Sequence, residues 1–293
     1  MMNKINFYIP DFYYKFDLNI ELIKTIKTHP EYFYDNIHIG AVYGSFPGAI
    51  WNGGRMMHGI ASSENICNTI QAFNDLDIPV RFTFTNCLLD ATHVYDTYCN
   101  LIMNAANNGK NEVLVNAPVL EEYLREKYPN FKYILSTTRC ERDVNKINMA
   151  CMDYDLVVAD YRDNINDEFL CQLSHKEKIE LLINAYCYPN CSHRQEHYKS
   201  LSQKQLNFNE MIACDYGKQC DVPSMGFYDS FHFQTVIKTD ALYGKYIDMG
   251  FSNFKIEGRT LHTLDIIESY VYYLVKPEFK DFVRYQLIKY CWK

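Results

Sequence analysis

The sequence contains no uninterrupted apolar run of about 18 residues, which excludes a helix long enough to span a bilayer. It has no G-x-G-x-x-G after a strand pattern and no G-x-x-x-x-G-K-[ST], so the common glycine loops for nucleotides are absent. There is no H-E-x-x-H and no G-x-S-x-G, which removes the usual zinc-peptidase helix and the nucleophile elbow of serine hydrolases. Residues 1–7 carry one lysine but neither an apolar segment nor a small-residue cleavage site. The expectation is therefore a cytoplasmic protein without a secretory leader. Excess positive charge is missing too: the formal net charge is −7, which argues against bulk electrostatic attachment to nucleic acid. No Pro/Gly/Ser linker or charge block marks a domain boundary.

What the 293 residues do have is a hydrophobic fraction of 48%, ample for a core and incompatible with a disordered chain. Short β-rich runs alternate with helical periods. Strands are expected at residues 5–10, 37–43, 79–85, 112–116, 131–137, 155–160, 178–186 and 254–258. The apolar runs VLV (113–115), LVV (156–158) and LLI (181–183) suit parallel strands buried on both faces. Helix signals fall between them: Ser62, Ser63 and Glu64 before an apolar stripe, Pro118 at a first helical turn, and a period over 262–275. Eight strands, each followed by helix or loop, predict a (β/α)8 TIM-like barrel, here as one domain over 1–293. A doubly wound open sheet is the alternative. About 65 residues separate the seventh and eighth strands, and an insertion at 187–252 carries four of the eleven cysteines. Long loops at the strand ends of a barrel carry function.

Within that insertion Cys187 and Cys191 leave the seventh strand, and Cys214 and Cys220 follow. Four thiolates gathered from loops can hold an iron–sulfur cluster or a tetrahedral zinc ion. The spacing C-x3-C, x22, C-x5-C lacks the paired C-x2-C knuckles of a zinc ribbon, which disfavours zinc. Buried small hydrophobes are the competing reading. Cys67, Cys99, Cys151 and Cys171 lie in helical stretches and read as packing residues. Cys87 and Cys140 follow the third and fifth strands, so either could replace Cys220. His193 and His197, four apart, would share a helix face and cap it or position a ligand. At the strand ends, Glu257, Arg259, Asn116, Asn86 and Ser136 would line the mouth of the barrel. There Arg259 could grip a carboxylate or phosphate, or else Glu257 and Arg259 pair to close the barrel. The basic, aromatic-interleaved stretch 280–292 reads as an ordinary helix surface.

Residues 184–198 (NAYCYPNCSHRQEHY) and 254–259 (FKIEGR) resemble the collagenase-like peptidase family of unassigned catalytic type (peptidase family U-32). Tyr43-Gly44-Ser45, Thr85-Asn86, VLVNAP (113–118) and ILSTT (134–138) support the resemblance, which runs from about residue 37 to 275. It implies a [4Fe-4S] cluster on Cys187, Cys191, Cys214 and Cys220. It also implies hydroxylation without oxygen, either in ubiquinone biosynthesis or on a ribosomal or transfer RNA base. RNA or a small, aromatic molecule as substrate, and an electron donor or related barrel subunit, go with it. The candidate catalytic residues are Glu257, Arg259, Asn116 and His197. The family's other label is peptidase, and a non-catalytic, metal-stabilised binding subunit is the third reading. Residues 1–293 do not include the large C-terminal extension of longer members, so collagen or RNA handling by such an extension is not expected of them.

Overall fold

A computed structural model describes residues 4–212 and 226–291. Parallel strands alternate with helices in the order β1 (Ile5–Pro10), α1 (Phe16–Thr28), β2 (Ile37–Gly44), α2 (Ser63–Asp75), β3 (Val80–Phe84), α3 (Thr97–Ala106), β4 (Glu112–Val115), α4 (Pro118–Lys127) and β5 (Lys132–Leu135). The chain continues through α5 (Val144–Asp153), β6 (Leu156–Val158), α6 (Asp167–Gln172), β7 (Ile179–Leu182), α7 (Arg194–Asn207), α8 (Thr239–Ala241), β8 (Asn253–Lys255), α9 (Thr263–Leu274) and α10 (Lys280–Cys291). Neighbouring strands pair in sequence order and β8 returns to β1, so the sheet is a closed eight-stranded barrel. The seam is parallel, with Asn6 opposite Asn253, Phe7 opposite Phe254 and Tyr8 opposite Lys255. The TIM-like expectation holds and the open sheet is excluded.

The local reasons are those of the sequence. Ser62 accepts from the Asn65 N–H at 3.1 Å and starts α2, satisfying one orphan donor. Pro118 opens α4, where its missing N–H costs nothing. Strand residues alternate between two environments. Val80, Phe82 and Phe84 of β3 join the main core between sheet and helices, whereas Arg81 and Thr83 face the barrel interior.

That interior is unusually polar at its N-terminal end. Arg81, fully buried, donates from Nε to Glu112 at 2.6 Å and from Nη1 to Glu180 at 2.5 Å. Lys255 reaches the other oxygen of Glu180 at 3.2 Å. The Arg81 guanidinium also stacks 3.9 Å from the centre of the Tyr8 ring. Two cations thus meet two carboxylates, the condition under which buried charge is tolerated. This network plugs the barrel from below. Above it lie Leu114, Leu182 and Thr83, and then the mouth.

The strands from β3 onward stop earlier than the sequence suggests, whereas β1 ends at Pro10 as expected and β2 runs one residue further, to Gly44. β7 ends at Leu182 rather than at 186, because side chains take over from the ladder. Asn184 donates to the Glu257 carbonyl at 3.0 Å and accepts the Glu257 N–H at 2.6 Å. Among the helical cysteines, Cys99 and Cys151 are buried, but Cys67 and Cys171 are exposed. The packing role expected for the last two is therefore wrong: their positions fall on the solvent faces of α2 and α6.

Candidate functional site

The C-terminal strand ends surround a cavity of about 100 Å3, at the edge where barrels of this type place chemistry. Three pieces of chain bring most of its charged groups, namely the loop after β2, the residues after β8, and α7 from the excursion between β7 and β8, while the ends of β3, β5 and β7 complete the wall.

The loop after β2 enters the mouth because glycine lets it. A Cβ on Gly53 would sit 2.4 Å from the Thr85 carbonyl group, so only glycine permits this approach to the end of β3. The result places Arg55 against Glu257 in an ion pair. Arg55 also donates to the Gly54 carbonyl at 2.7 Å, and Glu257 accepts the Tyr186 N–H at 3.2 Å. The expected alternative of a Glu257–Arg259 pair is thus corrected: Glu257 takes Arg55 instead. Arg259 donates to Asn52 Oδ1 at 2.9 Å, Thr83 Oγ1 at 2.8 Å and the Gly53 carbonyl at 2.7 Å. Burial, which disfavours the charged form, pulls this guanidinium down to about 10.

Helix α7 lies over the mouth and is moored by polar bonds. Gln205 accepts from Asn52 at 3.2 Å and from the Met57 N–H at 2.9 Å. Asn86 donates to the Ser202 carbonyl at 3.1 Å, and the Cys87 N–H donates to the Ser202 hydroxyl at 3.1 Å. At its start, Arg194 donates to Thr137 Oγ1 at 3.1 Å and stands 3.5 Å from Asp160. The same guanidinium lies 4.3 Å from the centre of the Tyr161 ring and 5.1 Å from that of Tyr198. Arg162 holds Asp160 through two bonds, of 2.9 and 2.8 Å. His197 lines the cavity with Arg194 and Tyr198. Burial, with Arg55 and Arg194 adding to it, pulls its imidazole down to about 4, so it is neutral at pH 7.

Cys187 lines the same cavity. Burial pushes its thiol up to about 11, the Tyr161 hydroxyl partly opposing and the nearby Cys191 sulfur adding to the rise. Cys191 follows on a tight turn, its N–H on the Tyr188 carbonyl at 3.1 Å. Cys214 and Cys220 lie outside the described residues. Among the described residues no three His, Cys, Asp or Glu side chains converge to hold a metal ion. Cys87 instead touches the Ser202 hydroxyl at 3.4 Å, and Cys140 the Thr138 carbonyl at 3.7 Å. Neither joins Cys187 and Cys191 in a metal-holding group.

Of the other strand-end residues, Ser136 lines the cavity. Asn116 stands behind it, donating to Thr138 at 2.6 Å, and Asn86 serves α7. Lys255 lines the floor, where burial pulls its amine down to about 8 although Glu180 opposes the fall. Arg55 and Lys255 were not anticipated. The Gly53-Gly54 pair was the available signal for the first, and a lysine within the short strand run before Glu257 for the second.

No protein-family model and no curated protein matches the chain. Among solved structures it is similar to the U32 peptidase Mk0906, with a TM-score of 0.53 and 12% identity over 88% of this chain and 94% of the other. A GH113 beta-1,4-mannanase aligns over 98% of both chains at a TM-score of 0.30 and 11% identity, too loosely to argue from. The first likeness is one of fold: the chain has a U32-peptidase-like barrel.

Proposed function

We propose that this barrel is an iron–sulfur oxidoreductase of the hydroxylating kind, with its cluster beside the cavity that holds a small substrate. The observation that carries the reading is the pairing of Cys187 and Cys191 at the end of β7, the first against the cavity and the second near enough to influence its thiol. Their donor type fits, since thiolates are the ligands such clusters take, and Arg194 opposes part of the rise that burial imposes on the Cys187 thiol. Cys214 and Cys220 complete the ligand set in this proposal. A bound cluster would supply electrons one at a time. The chain's own residues do the rest. The Arg162 guanidinium reaches the Cys191 carbonyl at 3.4 Å and steadies the cysteine turn. Arg55 fixes the Glu257 carboxylate, and His197 offers a neutral imidazole to the substrate. An electron donor or a related barrel subunit is the partner this scheme calls for.

A peptidase is the second reading, since the neighbour in fold bears that name. Its natural nucleophile would be Cys187 with His197 as base. Burial raises the thiol and lowers the imidazole, the reverse of the thiolate–imidazolium pair such catalysis uses. Protein purified without oxygen decides between them. Iron and acid-labile sulfide are expected in stoichiometric amounts and should fall sharply in Cys187→Ala, Cys191→Ala, Cys214→Ala and Cys220→Ala, with gelatin left uncut. Trace iron in the wild type defeats the cluster. Zinc in its place makes the metal structural, and proteolysis by a clean preparation promotes the peptidase.

A further inference from the structure

Arg259 is 8% exposed, lines the cavity, and is bonded only to neutral oxygens. Both hydrogens of Nη1 are used on Asn52 and Thr83, and one of Nη2 on the Gly53 carbonyl. A guanidinium has five N–H donors, so the Nε–H and one Nη2–H have no acceptor among the described residues. No described carboxylate comes within ion-pair distance of it either. Asp11 and Glu257 act on it at longer range, but Asp11 is itself committed to the Tyr14 N–H at 2.9 Å and Glu257 to Arg55.

Two of the other cations at the cavity each have a carboxylate, and a third shares one. Arg55 has Glu257, and Lys255 has Glu180 at 3.2 Å. Arg194 shares Asp160 with Arg162, on the side where Cys187 and Cys191 stand. Arg259 is left with no carboxylate in ion-pair range among the described residues, and a buried charge without a counter-charge is costly. Two N–H donors on one guanidinium suit a carboxylate, which accepts them in parallel. A phosphate dianion would bring more charge than one guanidinium neutralises. Tyr43, Tyr198, Leu114 and Leu182 supply apolar walls, and a space of about 100 Å3 that is not fully enclosed limits the occupant to a small molecule whose ring is held between these walls only in part.

We propose that the mouth of the barrel binds a small aromatic monocarboxylate, its carboxylate on Nε and Nη2 of Arg259 and its ring between the tyrosine and leucine side chains. This names the substrate class of the cavity and rests on reading that cavity as the substrate site, but it uses none of the cysteines. The test is calorimetric titration of the full-length protein with benzoate, benzamide and inorganic phosphate, with iron measured on the same sample. Benzoate should bind saturably at one site, and benzamide, its neutral isostere, about tenfold more weakly or worse, the ratio equivalent to about 1.4 kcal/mol. Phosphate should neither bind nor displace benzoate. Arg259→Lys keeps the charge but loses the fork, and should weaken benzoate by a similar factor. Equal binding of benzamide, displacement by phosphate, or no saturable benzoate binding in the millimolar range overturns the inference. The wild-type comparison needs no variant to fold. Iron without benzoate binding sinks this inference alone, and benzoate binding without iron sinks the cluster alone.

Discussion

Glu257 and Arg259 stand two residues apart after β8 and take separate partners, Glu257 the cation Arg55 and Arg259 three neutral oxygens. One is a closed ion pair and the other an open charge, and the contrast gives the mouth its chemical character.

Removing the closed pair is measurable. Glu257→Gln strips Arg55 of its counter-charge and weakens the acceptor for the Tyr186 N–H. The loss should be about 1–3 kcal/mol, read as a lower urea midpoint with an unchanged slope. A shift below the error of the titration would mean that solvent already screens the pair.

The floor of the barrel should be less forgiving. Glu180→Gln leaves Arg81 and Lys255 buried with a single carboxylate, Glu112, between them. The expected cost is about 3–5 kcal/mol in urea unfolding. A cost near zero would show that the network does not need Glu180 as an anion.

Acid should destabilise the protein through His197. In the unfolded chain its imidazole takes a proton near 6.5, and in the fold only near about 4. Between those values the unfolded state binds the extra proton, so stability is fully present above pH 6.5 and declines as pH falls through the window. Urea midpoints at pH 7 and 5 should drop further for wild type than for His197→Gln. Equal drops would place the loss elsewhere.

Thiol reactivity should divide by access. Cys67 and Cys171 are exposed, whereas Cys99 and Cys151 are buried. Burial pushes the Cys151 thiol up to about 11 and that of Cys99 well above the usual range. Brief alkylation of the native protein, mapped by peptide mass, should label the first pair and spare the second. Early labelling of Cys151 would mean that α5 opens readily.

The barrel was legible because its strands are short apolar runs and its helices carry their own start signals, as at Ser62 and Pro118. The strand ends were not, since Asn184 replaces backbone pairing with side-chain bonds that have no periodic signature. Arg194, His197 and Cys187 were visible as part of one contiguous run. Arg55 was not, because it reaches Glu257 across 202 positions by way of a glycine whose role is a close approach in space. Cys67 and Cys171 misled for a related reason: helical spacing says that a residue lies on a helix, but its face depends on neighbours distant in the chain.

With Arg81, Glu112 and Glu180 filling the lower end of the barrel, the cavity has a charged floor, and α7 supplies part of its wall through Arg194, His197 and Tyr198. A molecule seated in the mouth would therefore rest above a layer of paired charges that offers it no way through the barrel axis. Depth in this site is limited by the Glu180 and Lys255 pair.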